Sequence, residues 1–328
     1  MDECRRNDLV AATGQRQCWN EHGEIIPCSG TGQDGELRPG RPWPSPRFSV
    51  GAEGVYDRLS GLTWSTDANH FKWPMSWSEA HEAVGELRRR RHLGRDDWRL
   101  PDRRELWSLI SFAERNPALP AEHPFGNIFL GWYWTATTAA RNPGYAWAVQ
   151  VAGGRVFYEG KERDAFVWPC RGPGEHGQTK ARPHPATGEI GETVDAPLRE
   201  RFQVADDRVV DRSSGLCWMR SANLCRGPAA WCQALDEVRR LRTGRDDCGG
   251  WRLPTIVELD SLVDTDHCDP SLPSGHPFSG IGAGYWSSTS SSFEPDWAMV
   301  LHLDRGAIGV GLKRDPRYFV WPVRDAVG

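Results

Sequence analysis

"DDWRLPDRREL" occupies Asp96–Leu106, and "GGWRLPTIVEL" occupies Gly249–Leu259. In each phrase a proline biases the preceding leucine toward extended backbone. A capping residue comes next: Asp102 with Glu105 three positions on, and Thr255 with Glu258. The phrase therefore predicts a strand end, a fixed corner and a helix start, with the helices running on as "LWSLISF" and "LDSLV". Arg99 and Arg252 are expected to brace the corner by bridging carbonyls or a carboxylate rather than to bind a ligand.

The phrase is one member of a long internal repeat. Phe48 matches Phe202, "SGLTW" at Ser60–Trp64 matches "SGLCW" at Ser214–Trp218, and Trp77 matches Trp231. "ALPAEHPF" at Ala118–Phe125 matches "SLPSGHPF" at Ser271–Phe278, and "YWTATT" at Tyr133–Thr138 matches "YWSSTS" at Tyr285–Ser290. Trp147 is matched to Trp297, and "FVWPCR" at Phe166–Arg171 to "FVWPVR" at Phe319–Arg324. The offset is 154 residues at Phe48 and Phe202 and 153 at Phe166 and Phe319, so two copies of one domain stand in tandem with few insertions. The lead-ins echo too: "TGQRQCWNEHGEI" at Thr13–Ile25 resembles "HGQTKARPHPATGEI" at His176–Ile190, which lacks the cysteines. This divides the chain into a lead-in with a hairpin at 1–47, a first domain at 48–172, a linker and second lead-in at 173–200, and a second domain at 201–328.

Within one copy, "GVYDRLSGLTW" reads as strand, glycine turn, strand. "SWSEAHEAVGELRRRR" reads as a helix capped by Ser76 and Glu79, with Trp77, Ala80, Val84 and Leu87 on one face. Trp231, Leu235, Val238 and Leu241 repeat that face. Later segments alternate as strands, "WAVQV" and "WAMVLHL", with glycine turns at "AGGRV" and "LDRGAI". "AFVWP" and "YFVWP" close the copies. The result is an α+β protein.

Composition narrows the function. A net charge of −4 gives no general reason to expect nucleic acid or an anionic membrane as partner. No run of 18 apolar residues is present, so no helix is expected to cross a membrane. The start, "MDECRRNDLVAATGQ", lacks the apolar stretch of a signal peptide: either the chain is not exported or its signal has been removed. The nine cysteines point toward an oxidising compartment, because they lack zinc-site spacing. Cys18 and Cys28 flank "WNEHGEIIP", which can fold back at Gly23 and close a disulfide. Cys4, Cys170, Cys217, Cys232 and Cys268 are left unpaired.

The phrases "DRLSGLTW", "WRLPDRREL", "NPALPAEHPF", "YWTATT" and "FVWPCR", with the lead-in Cys18–Phe48, resemble the Lcl C-terminal domain family, a bacterial domain of unknown function named for a collagen-like adhesin. The resemblance covers nearly the whole chain, twice. It implies two tandem C-type-lectin-like domains, each with two helices flanking a twisted antiparallel sheet. It also implies a secreted, periplasmic or surface protein that binds ligands, sulfated glycans in the case of the namesake. The same resemblance suggests a second disulfide, Cys225–Cys248.

Site chemistry must come from this chain, since a fold carries no function by itself. His123 and His276 in the repeated "HPF" are expected to anchor loops, and no cysteine pair recurs in both copies, so no enzyme of the sulfatase-modifying type is expected. Asp264, Asp266 and Asp269 in "DTDHCDP" offer hard oxygen ligands for calcium, but copy one has "SFAERNP" there and no cofactor is expected. The arginine runs "ELRRRRHLGR" and "EVRRLRTGR" suit helix ends, with polyanion contact as the alternative. The loops between the late strands differ while their flanks match, which is how a rigid frame carries recognition. The candidate ligand contacts there are Arg141, Asn142, Tyr145, Tyr158, Lys161 and Arg163 in copy one, and Ser291, Glu294, Asp296, Arg305, Arg314 and Arg317 in copy two. The expected ligand is a carbohydrate, including an anionic glycan, bound bivalently if both copies engage. A protein-binding or retroelement-diversified recognition module is the alternative.

Overall fold

The computed structural model describes residues 9–172, 200–241 and 250–326. The lead-in contains strands β1 (Cys18–Trp19) and β2 (Ile25–Ile26) and a short helix α1 (Asp34–Leu37). Copy one contains β3 (Phe48–Gly51), β4 (Gly54–Asp57), β5 (Leu62–Trp64), α2 (Trp77–Arg89), α3 (Arg103–Trp107), β6 (Trp132–Thr138), β7 (Tyr145–Gln150), β8 (Val156–Gly160) and β9 (Cys170–Arg171). Copy two repeats the series as β10 (Phe202–Ala205), β11 (Arg208–Asp211), β12 (Leu216–Met219), α4 (Trp231–Leu241), α5 (Ile256–Ser261), β13 (Gly284–Ser290), β14 (Trp297–His302), β15 (Ala307–Leu312) and β16 (Val323–Asp325).

The chain divides into two compact units. Trp43–Ile190 holds copy one, while Met1–Pro42 joins Gly191–Gly328 around copy two. The sequence reading kept 1–47 as one separate segment. The structure instead packs its larger part with the later copy, and the hydrogen bonds responsible are described below.

Each copy has a four-stranded antiparallel sheet, β3-β4-β5-β9 or β10-β11-β12-β16, and a three-strand meander, β6-β7-β8 or β13-β14-β15. The expectation of a single sheet between two helices is thus replaced by two β layers per copy. The last strand returns to the first sheet, with Trp64 opposite Cys170 and Trp218 opposite Val323.

The repeated phrase stitches these layers together. Arg99 N donates to Cys170 O at 2.8 Å, and Arg252 N donates to Val323 O at 2.9 Å, so the corner pairs with the returning chain. Pro101 O and Pro254 O accept from Ala136 N and Ser288 N of the meanders. Both capping boxes form, at Asp102/Glu105 and Thr255/Glu258. The capping glutamate also takes the arginine: Arg99 meets both oxygens of Glu105 at 2.6 Å, and Arg252 both oxygens of Glu258 at 2.6 Å. Trp98 and Trp251 are both buried.

Two apolar layers hold each copy. The face of α2 (Ala80, Val84, Leu87) packs with Trp98, Trp134, Ala146 and Ala148; α4 does the same through Trp231, Ala234, Leu235 and Val238. The other layer is aromatic. Trp168 meets Trp64 at 5.8 Å and Phe125 at 4.8 Å, and Trp321 meets Trp218 at 5.2 Å and Phe278 at 4.8 Å. The repeated "SGLTW", "HPF" and "VWP" phrases are therefore one ring cluster, whose edge-to-face pairs add to the area they bury. His123 and His276 stack on Phe125 and Phe278 at 6.0 Å, as loop anchors do, and burial holds both imidazoles below their ordinary pKa.

One correction concerns register. Ala148 lies opposite Trp134 and Val300 opposite Trp286, so the offset in the meander is 152. Trp147 is therefore equivalent to Met299, and Tyr145 to Trp297. A two-residue slip keeps every side chain on its original face, so alternation alone did not expose the mismatch. Thr135 Oγ1 and Ser287 Oγ confirm the register by donating to Trp147 O and Met299 O.

The disulfide Cys18–Cys28 is present, with a Cα–Cα distance of 5.3 Å, and Gly23 takes a positive φ of 81° at the turn. Cys225 has no disulfide partner among the described residues; Cys248 and Cys4 lie outside them, as does nearly all of the linker and second lead-in. Cys170, Cys217, Cys232 and Cys268 likewise have no disulfide partner among the described residues.

Candidate functional site

In copy one, the end of β8 and the loop after it wall a cleft of about 520 Å³. Its lining is Trp132 and Trp134 of β6, Glu159 of β8, and Glu162, Arg163, Asp164 and Ala165 of the loop. The meander positions these groups by strand period: Trp132 and Trp134 share a face of β6, and Glu159 of β8 lies on the same face of that sheet. Trp134 is fully buried and donates through Nε1 to Met75 O at 2.9 Å, so it forms a fixed floor. Trp132 is half-buried, its ring edge-on to Phe157 at 6.2 Å. Glu159, Glu162, Arg163 and Asp164 are exposed. Three carboxylates thus face one guanidinium over an aromatic floor.

In copy two a side chain of the chain itself occupies the equivalent place. Register makes Gly284 equivalent to Trp132, Gly311 to Glu159, and Tyr318 to Ala165. The Tyr318 ring lies 4.8 Å from Trp286 and 5.7 Å from His302. A Cβ at Gly311 would stand 2.4 Å from Tyr318 Cε2, and one at Gly284 2.9 Å from Cδ1. Three positions have therefore changed together: two lost side chains make room for one gained ring.

The predicted contacts scatter across these surfaces. Of the copy-one set, only Arg163 lines the cleft. Lys161 lies over the Trp77 ring at 4.0 Å and donates to Thr138 Oγ1 at 3.0 Å; burial lowers its pKa. Asn142 Oδ1 accepts from Gly144 N and shapes the exposed turn that carries Arg141. Tyr145 and Tyr158 meet edge-on at 5.9 Å beside Trp147. In copy two, Ser291 is buried and Oγ accepts from Glu294 N, while Asp296 O accepts from Lys313 N. The lead-in turn at Gly23 packs against Asp296 N, while Phe293 of the same loop is exposed. Arg305 pairs with Asp304 at 3.0 Å and Arg317 with Asp315 at 3.5 Å, and Arg314 is exposed.

The calcium candidates do not converge. Asp264 accepts from Asp266 N and meets His267 Nδ1 at 3.1 Å, while Asp269 N donates to Asp304 O. Among the described residues no three His, Cys, Asp or Glu side chains gather to hold a metal ion. The arginines ending the helices pair within them and beyond: Arg89 Nε donates to Glu86 at 2.8 Å, Arg95 pairs with Glu53, and Arg239 pairs with Asp236 at 3.3 Å and donates to Thr31 O at 3.0 Å. Among the described residues no helix is long and apolar enough to cross a membrane.

A family model for the Lcl C-terminal domain matches residues 53–171 and 207–324. The chain belongs to that family. A search of curated proteins finds no match. Each copy carries a paired network, reaching just ahead of the matched segment, that the sequence reading missed. Arg47 meets both oxygens of Asp57 at 2.9 Å and donates to Ser108 O; Arg201 does the same with Asp211 and Ser261 O. The repeated "RF" and "D-R-x-S-G-L" carried the signal, but the pair members are ten residues apart. The missed cleft residues left a fainter trace: Trp132 and Glu159 stand in matching strands where the second copy has Gly284 and Gly311, and Glu162 and Asp164 stand in the loop after β8.

Proposed function

We propose that this chain is a carbohydrate-recognition protein of two tandem C-type-lectin-like domains, and that the sugar is held in the cleft of the first. The open cleft over Trp132, walled by three carboxylates, carries the reading. Ring faces stack against the apolar C–H face of a pyranose. Carboxylates accept strong hydrogen bonds from hydroxyls or amines. The excess of carboxylates disfavours a sulfated chain at this position and favours a neutral or amine-bearing sugar. The reading requires neither catalysis nor a cofactor. The Cys18–Cys28 bridge supports work in an oxidising compartment, secreted, periplasmic or at the cell surface.

A glycan array probed with the full chain, alongside Trp132→Ala, tests this. Neutral or amino sugars are expected to bind and to be lost in the variant. Selective retention of sulfated glycans, unchanged in Trp132→Ala, would overturn it.

A further inference from the structure

Copy two has a docking face that is already in use. Gln15 of the lead-in bridges β13 at Ser290: its Nε2 donates to Ser290 O at 2.8 Å, and its Oε1 accepts from Ser290 N at 2.9 Å. The amide thus takes the place of a neighbouring strand. Asp34 is buried and accepts from Thr289 Oγ1 at 2.6 Å and Thr13 Oγ1 at 2.7 Å. Lys313, lying on the Trp231 ring at 4.3 Å, donates to Trp19 O at 3.4 Å and Asn20 O at 3.3 Å, and to Pro295 O at 2.8 Å. A disulfide-closed hairpin is therefore read through one amide, one carboxylate and its own carbonyls.

The first copy keeps the receiving half of this chemistry. Thr137 and Thr138 stand at the positions of Thr289 and Ser290, since Thr138 lies opposite Ala146 as Ser290 lies opposite Ala298. Thr137 Oγ1 accepts from Arg103 N at 3.1 Å, as Thr289 Oγ1 accepts from Ile256 N at 3.2 Å. In copy two that leaves the hydroxyl hydrogen for Asp34. Lys161 and Trp77 stand for Lys313 and Trp231, with Lys161 O and Lys313 O accepting from the two tryptophan N–H groups alike. What differs is coverage. Trp231, Thr289, Ser290 and Lys313 are buried, whereas Trp77, Thr137, Thr138 and Lys161 are half-buried and Ser78 and His81 beside them exposed.

We infer that the face of copy one formed by Thr137, Thr138, Lys161 and Trp77 docks a disulfide-closed hairpin with the chemistry of this chain's own lead-in, one that presents a side-chain amide to the Thr138 backbone, a carboxylate to the Thr137 hydroxyl and main-chain carbonyls to the Lys161 ammonium. The occupant is a peptide because the equivalent face is occupied by one, through groups that copy one retains. It is a protein contact separate from the cleft and does not depend on a sugar binding there.

The probe is a fluorescein-labelled peptide of residues 9–42 with its Cys18–Cys28 bridge closed, titrated into the full chain and followed by anisotropy. Saturable binding of one peptide per chain is expected. Lys161→Ala and Thr137→Val should each weaken it at least tenfold, and Trp132→Ala should leave it unchanged. A peptide carrying Gln15→Ala and Asp34→Ala, which leaves the receiving protein untouched, should not bind. Absence of saturable binding overturns the inference. So does binding that ignores Lys161→Ala but falls with Lys313→Ala, because the peptide would then be exchanging with the chain's own lead-in.

Discussion

Arg252 and Glu258 show how one pair holds a corner of the fold. The guanidinium is buried and meets Glu258 and, at 3.0 Å, Asp325 of the closing strand. Glu258 also accepts from Thr255 N at 2.8 Å to finish the helix cap. Removing one partner of a buried pair leaves the other charge uncompensated, at a cost of about 3–5 kcal/mol. Arg252→Ala is thus expected to lower unfolding stability by about that amount in urea titration. The same change at Arg99 should cost less, because its side chain is 34% exposed and water screens the pair. Equal losses at the two sites would refute this ranking.

The lead-in is the element whose hold depends on pH. Burial pushes Asp34 from 3.8 up to about 6, with Glu258 adding to the rise and the hydroxyls of Thr289 and Thr13 and the Arg252 charge opposing it. Between these values the folded chain binds the extra proton, so docking weakens as pH rises through about 6. At about 1.4 kcal/mol per unit the loss is about 3 kcal/mol. Burial pushes Lys313 from 10.5 down to about 7, against the opposing charges of Cys232, Asp296 and Glu21. Here the unfolded chain binds the extra proton above pH 7, so docking strengthens as pH rises toward 10.5. The urea midpoint for lead-in release, read by pulse proteolysis, should therefore pass through a minimum between pH 6 and 7. Asp34→Asn should remove the acid limb. A midpoint that changes in one direction only would contradict the assignment.

For the whole molecule, the proposed recognition is expected to be one-sided, because the counterpart of the cleft in copy two is filled. The tandem repeat suggested bivalent binding, but Tyr318 occupies the place where copy one is open. The cleft should accept one sugar per chain by calorimetry. Ala165→Tyr, which imports the copy-two plug opposite Trp132 and Glu159, should abolish that binding by occupancy. Glu159→Gln should weaken it by about 1–2 kcal/mol, the difference between a charged and a neutral acceptor. Two sugars per chain, or full binding by Ala165→Tyr, would count against a single receptive cleft.

The capped corners, the first helix of each copy and the Cys18–Cys28 hairpin were legible along the chain because each rests on neighbours within about a dozen residues, and the tandem repeat was legible because whole phrases recur in the same order. Caps read three positions ahead, helix faces read every third or fourth, and a disulfide loop needs only a turn. The family followed from the spacing of whole phrases, which survives when single residues do not. The rest depended on groups far apart in sequence. Trp132 and Glu159 form a cleft only because the meander sets their strands in one layer and Ala165 returns small beside them. Tyr318 closes the equivalent place only because two glycines on other strands leave it room. Gln15 finds Ser290 across 275 residues, so nothing in its surroundings marks it as a strand partner. Local signals fix elements; which surface is open and which is covered is decided by packing between segments that no short-range pattern couples.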